Sequence, residues 1–198
     1  MFNRQLSIKS RMLPISPEIR HVLFPSPCSS GVSIGSPLSF FSQYEMIPFE
    51  FNGAQYVMIF HQICDAIGSD ESSLEVLAEF AGGFLAHKDC RIVKFFDVNA
   101  TLENAFDPDA WQLQIGAYIF QFFDVVREVV ELHTTTYPEV PQYFYAPATR
   151  QLEKCYNRTF QRLPTNSYLN NFERIQAPTG NYHGFQRKQS CQRGSVAT

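Results

Sequence analysis

Apolar residues recur at steps of three and four over one long stretch of the chain, between residues 108 and 134. They are Trp111, Ile115, Ile119, Phe122, Val126, Val129 and His133. This spacing is typical of an amphipathic helix, which buries one face and leaves the other in water. Asp107 is a suitable N-cap and Pro108 suits the first helical position, so the helix is predicted to begin there and to end near Thr134.

A short strand and a second helix are predicted after the first helix. Pro138 ends that helix, and the aromatic run 142–145 lies between two prolines, as expected of a short strand. Thr149 can cap a further helix that runs to about residue 163. Its apolar side carries Leu152, Cys155, Tyr156 and Phe160, and its other side carries Arg150, Lys154, Arg158 and Arg162.

The clearest β signal is the pair Asn52-Gly53 between the apolar runs 47–51 and 54–60. A two-residue type I′ turn needs positive φ angles, which Asn and Gly adopt most readily, so the two runs are predicted to form a hairpin. A second hairpin is expected from residues 84–87 and 91–98. A short helix is expected over residues 71–80, before Gly82-Gly83.

These elements predict an α+β fold with a mainly antiparallel sheet, built from two hairpins and the strand at 142–145 and packed by the long helix and the C-terminal helix. Residues 45–175 are expected to form a single domain. Residues 1–44 contain five prolines and no regular pattern, and three interpretations stay open: a poorly ordered arm, a targeting segment, or an artefact of the choice of start site. Residues 176–198 are expected to form a disordered basic tail.

Charge is distributed unevenly along the chain. The formal net charge is −3, but residues 1–44 and 176–198 carry +3 each, which leaves −9 on the middle of the chain. Binding to a phosphate backbone needs many basic residues on one face, so direct nucleic-acid binding by the folded body is not expected. Two surfaces are candidates for protein contacts. One is the basic side of the last helix; the other is the acidic face of the long helix, with Asp124, Glu128 and Glu131.

Cysteine usage and hydropathy indicate a cytoplasmic protein without a membrane span. The five cysteines are widely spaced and include no C-x-x-C pair, so we expect reduced thiols. No run approaches the roughly 18 to 20 apolar residues that cross a bilayer.

No metal site or catalytic residue is predicted from local motifs. His61 and Cys64 come nearest to a ligand pair, but they lie at a strand end. Glu71, Glu75 and Glu79 share one helix face and are expected to be solvated. The chain contains neither a G-x-S-x-G motif nor a phosphate-binding loop, so no cofactor is expected on this interpretation.

One resemblance rests on the order of elements over residues 84–163. The hairpin, the strand at 91–98, the long helix, the strand at 142–145 and a helix carrying Leu-Glu-Lys-Cys-Tyr-Asn-Arg together resemble the second half of GCN5-related N-acetyltransferases. The resemblance implies acetyl-CoA as the cofactor, bound with its pyrophosphate at the start of the long helix, and Tyr156 as the general acid. The phosphate signature Arg/Gln-x-x-Gly-x-Gly/Ala is missing, because Gln114-Ile-Gly116-Ala117 has its glycine at the wrong spacing.

Three functions remain open from the sequence. The preferred hypothesis is a non-catalytic cytosolic binding or regulatory protein that acts through protein–protein contacts, of a size that suits an accessory protein of a phage or mobile element. The first alternative is an acyl-CoA-dependent N-acyltransferase-like enzyme. The second alternative is an acidic mimic of nucleic acid that inhibits a partner, which requires the excess negative charge to cluster on one surface.

Overall fold

The computed structural model describes residues 15–26, 30–40, 44–62, 86–87, 89–101, 118–147, 149–176 and 182–188. Within these ranges the helices are α1 (Pro17–Leu23), α2 (Ile119–Thr136) and α3 (Arg150–Gln161), followed by a 3₁₀ turn (Tyr168–Asn171). The strands are β1 (Val32–Ile34), β2 (Leu38–Phe40), β3 (Tyr44–Phe51), β4 (Ala54–Gln62), β5 (Arg91–Asp97), β6 (Gln142–Tyr145), β7 (Phe172–Gln176) and β8 (His183–Arg187).

The eight described strands form one sheet with the order β1-β3-β4-β5-β6-β8-β7, and β2 also pairs with β3. All neighbours are antiparallel except β5 and β6, which are parallel. The chain between these two strands includes α2, as a crossover between parallel neighbours requires. The sheet is therefore mainly antiparallel with one parallel pair near its centre.

The hairpin of β3 and β4 turns at Asn52 and Gly53, as predicted. Their φ angles are 49° and 83°, so both central residues have the positive values of a type I′ turn. The two strands pair over eight registered positions, from Tyr44 opposite His61 to Phe51 opposite Ala54. The predicted hairpin is confirmed, and its first strand begins three residues earlier than expected.

Pro48 lies inside β3 without interrupting the sheet. On one side of β3, β1 pairs with residues 49–51 and β2 pairs with residues 44–46, so Pro48 falls between the two ladders. A proline has no N–H to donate, and on this side of β3 Pro48 has no registered ladder partner, although on the other side it lies opposite Val57 of β4. The Gly35 N–H instead donates to the carbonyl of Pro48 at 2.9 Å.

Helix α2 packs its apolar side against one face of the sheet. The Phe122 ring contacts Phe51, Tyr56 and Phe95 at centroid distances of 5.5, 5.1 and 5.6 Å. These rings come from β3, β4 and β5, so a single helix residue joins three strands. Helix α3 packs beside α2 on the same face, where Tyr156 of α3 contacts Phe123 of α2.

Helix α1 comes first among the described elements and packs near the β3–β4 turn. Its Leu23 is buried in the main core, and Arg20 donates hydrogen bonds to Gln55 at 2.9 and 3.3 Å and to Asn99 at 3.0 Å. A smaller buried cluster, formed by Cys90, Ile92, Phe144 and Ile175, is separate from the main core.

The α+β fold predicted from the sequence is confirmed, with differences in three segments. Residues 86–87 are not in a strand, and β5 pairs with β4 and β6, so the predicted second hairpin of 84–87 with 91–98 is wrong as far as the described residues reach. Residues 1–44, predicted as an arm, contribute α1, β1 and β2, and residues 176–198, predicted as a tail, contribute β8. β2 and β8 join the sheet beside strands close in the chain, β3 and β7, and β8 also pairs with the more distant β6.

The predicted beginning of the long helix, at Asp107 and Pro108, lies outside the described residues. Helix α2 is described from Ile119, and it ends at Thr136, two residues past the predicted end. The expected start at Asp107 and Pro108, and the expected helix over 71–80, cannot be compared with the described elements. No helix in the described ranges has the length and apolar character needed to span a membrane.

Candidate functional site

The parallel strands β5 and β6 stop pairing soon after they begin. Their ladder has two registered positions, Arg91 with Tyr143 and Ile92 with Phe144, whereas β4 and β5 pair over seven. Beyond Ile92, β5 continues to Asp97 without a registered partner in β6, which ends at Tyr145. The two parallel strands are therefore no longer paired beyond Ile92 and Phe144, and in this sense they separate at their carboxyl ends, where α2 and α3 cover one face of the sheet.

Tyr156 of α3 lies over the place where the strands separate. Its ring centroid is 4.7 Å from that of Tyr145 at the end of β6 and 6.4 Å from that of Phe95 on β5. It is 5.0 Å from that of Phe123, in the first turns of α2. One side chain thus contacts both parallel strands and the helix that connects them.

The sequence places Tyr156 there by ordinary helix signals. Thr149 caps α3, as predicted, because its side chain accepts a hydrogen bond from the Leu152 N–H at 3.2 Å. The spacing of Leu152, Tyr156 and Phe160 then puts all three on the side that packs against the main core. The residue implied by the acetyltransferase resemblance is consequently partly buried among aromatic rings.

Burial changes the acidity of Tyr156. It raises the pKa of the phenol well above its ordinary value, and the neighbouring Tyr145 and Cys155 raise this pKa further. The hydroxyl group therefore stays protonated throughout the physiological range. In this state it can donate a hydrogen bond or a proton to a stronger base that enters the site.

A polar cluster lies next to Tyr156, on the other side of Tyr145. The Nε2 atom of His183 on β8 is 3.5 Å from an Oε1 atom of Glu153 on α3, and the rings of His183 and Tyr145 are stacked at 5.8 Å. Arg174 of β7 donates a hydrogen bond to Asn157 of α3. Helix α3 is therefore joined to β8 and β7 by polar contacts one turn apart.

A small cavity of about 30 Å³ adjoins this cluster, and its lining includes Tyr145, Phe160, Arg174 and Phe185. A volume of this size holds about one water molecule. Burial raises the pKa of Tyr145 to about 12, although Arg174 acts against this rise. Tyr145, like Tyr156, is therefore neutral at physiological pH.

A second set of polar residues forms a buried network near the start of β5 and the end of α2. Arg91 donates two hydrogen bonds of 2.8 Å to the carboxylate of Glu45. His133 Nε2 is 3.7 Å from Glu45 Oε2, and His133 Nδ1 is 3.0 Å from the Tyr143 hydroxyl oxygen. Phe60 stacks on the His133 ring at 3.6 Å. This network connects β3, β5, α2 and β6 inside the core.

The charges in this network are set by burial and by its ion pair. Burial alone would raise the pKa of Glu45, but the neighbouring His133 ring and the hydrogen bonds from Arg91 outweigh that effect and lower it. Burial lowers the pKa of His133 despite the nearby Glu45 carboxylate. The network therefore holds an ionised carboxylate, a guanidinium and a neutral imidazole at neutral pH.

The basic surface predicted on the last helix is exposed. Arg150, Lys154, Arg158 and Arg162 all lie on the solvent side of α3, and none of the four forms an ion pair with another described residue. The Arg158 guanidinium lies 3.9 Å from the ring centroid of Phe120, in the first turn of α2. This cation is therefore held beside the N-terminus of α2.

The acidic surface predicted on the long helix is partly neutralised. Arg127 lies 4.0 Å from Asp124, 3.3 Å from Glu128 and 3.4 Å from Glu131. Glu131 is also partly buried and accepts a hydrogen bond from the Tyr168 N–H at the start of the 3₁₀ turn. Asp124 and Glu128 remain exposed. The acidic face therefore includes one cation, Arg127, and one carboxylate, that of Glu131, that is bound within the fold.

Other residues considered as ligands are not assembled into a site in the described part of the chain. No group of three or more His, Cys, Asp or Glu side chains there could hold a metal ion. His61 is buried in β4 and stacks on Tyr44 at 4.5 Å. Its sequence neighbour Cys64, the residues Glu71, Glu75 and Glu79, and the glycine segment at 114–117 lie outside the described residues.

Sequence reasoning missed the pair His183 and Glu153 and the network around Glu45. Glu153 precedes Tyr156 by three residues, so helical spacing could have placed the two near each other. His183 lies in the segment predicted as a tail, and Glu45 and Arg91 are 46 residues apart in the chain. No local pattern could have brought these residues to their partners.

The chain shows no match to a protein-family model, to a curated protein or to a solved structure.

Proposed function

We propose that this protein is an acyl-CoA-dependent N-acyltransferase-like enzyme in which Tyr156 donates a hydrogen bond to the departing thiolate. The observation that carries the proposal is the position of Tyr156, which contacts β5, β6 and α2 where the parallel strands separate. The carboxyl ends of parallel strands and the start of the crossover helix form the usual binding place in open sheets that contain such a unit.

The electrostatics of this edge favour an anionic group such as a diphosphate. The first turn of α2 carries no acidic residue, and Arg158 lies against Phe120 beside that turn. A helix N-terminus carries a partial positive charge, and an adjacent guanidinium adds a full one. These features support acyl-CoA as the ligand, because its nucleotide portion carries several phosphates.

The chemistry needs a group that stabilises the negative charge developing on the sulfur atom. An amine attacks the thioester carbonyl, the C–N bond forms and the C–S bond breaks, so a thiolate leaves. Tyr156 is protonated at neutral pH as an ordinary phenol is, and burial raises its pKa further, so it can donate a hydrogen bond to the departing sulfur while the thiolate takes up a proton from solvent. A hydrogen-bond donor aimed at a developing negative charge contributes roughly 10²- to 10³-fold to the rate.

The test combines acetyl-CoA binding with thiol release. Acetyl-CoA at a hundred times its dissociation constant is expected to stabilise the protein by about 2.7 kcal/mol, which raises the melting temperature. Release of free CoA thiol is then followed with a panel of primary amines. We expect Tyr156→Phe to reduce the rate of release at least tenfold while the acetyl-CoA shift remains.

The matched control is Tyr137→Phe, because Tyr137 is also partly buried but follows the other end of α2 and contacts His133. This variant should release thiol at the wild-type rate. The proposal fails if acetyl-CoA neither shifts the melting temperature nor releases thiol in the wild-type protein.

A non-catalytic function through protein contacts is the second candidate, and the exposed side of α3 favours it. Four cations lie along this helix without ion pairs to other described residues, so an acidic partner surface could pair with them. Replacing Arg150, Lys154 and Arg162 together with glutamate should abolish capture of such a partner and leave thiol release unchanged. Capture that survives this reversal of charge rules out the stripe as the contact surface.

A further inference from the structure

His183 is a buried residue with one ring nitrogen that has no hydrogen-bond partner, a state that His133 shares. His183 is 5% exposed, and its Nδ1 atom has no hydrogen-bond partner. Buried polar atoms in folded proteins nearly always have a partner, so an unpaired ring nitrogen needs an explanation. A donor that enters with a ligand would provide one.

The contact with Glu153 defines which ring nitrogen of His183 can accept a hydrogen bond. An ionised carboxylate can only accept hydrogen bonds, so the imidazole nitrogen facing it, Nε2, carries the hydrogen. The Nδ1 atom then holds the lone pair of a neutral ring. A carboxylate that orients an imidazole in this way is the arrangement that general bases use.

The position of the pair relates it to Tyr156. The ring of Tyr145 lies 5.8 Å from that of His183 and 4.7 Å from that of Tyr156, so it separates the two. Glu153 and Tyr156 lie on the same helix, three residues apart. A proton donor and a proton acceptor therefore flank the end of β6.

The groups that surround His183 favour its neutral form. Burial lowers the pKa of His183, Glu153 on α3 acts to raise it, and Arg174 on β7 acts to lower it further. Tyr145 on β6 is uncharged because its own pKa is about 12. The result of these effects is a neutral imidazole at pH 7, which can accept a proton.

We propose that His183, oriented by Glu153, is the general base that takes the proton from a primary amine acceptor in the acyl transfer proposed above, on which this inference rests. As the amine nitrogen bonds to the thioester carbon, its proton passes to Nδ1 of His183. The C–S bond breaks, and the thiolate leaves with a hydrogen bond from the Tyr156 hydroxyl. The proton on His183 then passes to the thiolate through solvent, so the protein is unchanged after each cycle.

The test measures thiol release from acetyl-CoA with a primary amine between pH 5 and pH 9, for the wild-type protein, His183→Asn and Glu153→Gln. We expect His183→Asn to reduce kcat/KM for the amine at least tenfold and to remove the acidic limb of the pH profile. Glu153→Gln should move that limb to lower pH, because it removes the carboxylate that favours the imidazolium form. The melting-temperature shift with acetyl-CoA should remain in both variants.

Glu173→Gln is the matched control, since Glu173 is an exposed carboxylate on β7 whose side chain pairs with Gln186. Its rate and pH profile should equal those of the wild type. If the wild-type protein is active and both variants keep its pH profile, the proposed role of His183 is overturned and the proposed function is not. If His183→Asn does not fold, the pH profile of Glu153→Gln decides whether His183 acts as the base. A wild-type protein that releases no thiol overturns the proposed function and this inference together.

Discussion

Arg91 and Glu45 form a bidentate ion pair across an intervening strand. Arg91 lies on β5 and Glu45 on β3, and β4 lies between them in the sheet. Both hydrogen bonds are 2.8 Å long, and the Arg91 and Glu45 side chains are 7% and 12% exposed. The pair is therefore largely removed from water, and each charge depends on the other.

We expect Arg91→Met to destabilise the protein by about 3 to 5 kcal/mol, because this change leaves the carboxylate of Glu45 buried without its cation. Urea unfolding at pH 7 measures the loss as a lower midpoint. Arg150→Met is the matched control, since Arg150 is exposed on α3, and it should change the free energy of unfolding by less than about 0.5 kcal/mol. Equal effects of the two substitutions would show that the ion pair does not support the fold.

Stability should decrease as the pH is lowered. Burial lowers the pKa values of His133 and His183 in the folded protein, so below the ordinary histidine pKa of about 6.5 the unfolded chain binds more protons. The stabilising contribution of the two neutral rings is fully present above that pH and is lost as the pH falls. The lowered pKa of Glu45 adds a further loss below the ordinary glutamate pKa of about 4.3.

Urea unfolding at pH 8, 7, 6 and 5 checks this dependence. The free energy of unfolding should be nearly constant from pH 8 to pH 7 and lower at pH 5. His133→Gln should reduce the slope between pH 7 and pH 5, whereas His87→Gln, at an exposed site, should keep it. A free energy that is the same at pH 5 and pH 7 would contradict the prediction.

The parts of the fold that could be predicted depend on residues close together in the chain. Asn52 and Gly53 specify their turn by the backbone angles that they tolerate, and Thr149 specifies the start of α3 by a hydrogen bond to a residue three positions on. Tyr156 was predicted as a candidate site residue from similar information, namely helical spacing and a resemblance in the order of elements.

The other parts depend on pairing between distant residues. The parallel pairing of Arg91 with Tyr143, and the antiparallel pairing of Tyr145 with His183, join segments about 40 to 50 residues apart. Neither β6 nor β8 has a periodic pattern long enough to specify its neighbour. The ladder that ends at Ile92 and Phe144, which defines the site, could therefore be known only from the structure.

Gly184 occupies a position in β8 that only glycine fits. A Cβ atom there would lie 2.3 Å from the carbonyl oxygen of Tyr143 and 2.9 Å from the ring of Phe144. The first contact is with backbone in the neighbouring strand, which cannot move aside as a side chain can. We expect Gly184→Ala to destabilise the protein by about 1 to 3 kcal/mol or more.

Thermal unfolding measures this effect, and Gly31→Ala is its control, because a Cβ atom at Gly31 meets no atom within 4 Å. The control should leave the melting temperature within a few degrees of wild type. A Gly184→Ala protein as stable as the control would mean that β8 does not pair with β6 in the register of Tyr143 opposite Phe185.

The ring and the hydroxyl group of Tyr156 should have separable effects. Tyr156→Ala removes a ring that packs against Tyr145, Phe123 and Phe95, so it should cost about 3 to 5 kcal/mol of stability. Tyr156→Phe keeps the ring and should remain within about 1 kcal/mol of wild type in urea unfolding. A folded Tyr156→Phe protein that binds acetyl-CoA but releases thiol slowly would assign the hydroxyl to the chemical step. If Tyr156→Phe instead loses as much stability as Tyr156→Ala, the hydroxyl supports the fold, and its loss cannot be interpreted as a loss of catalysis.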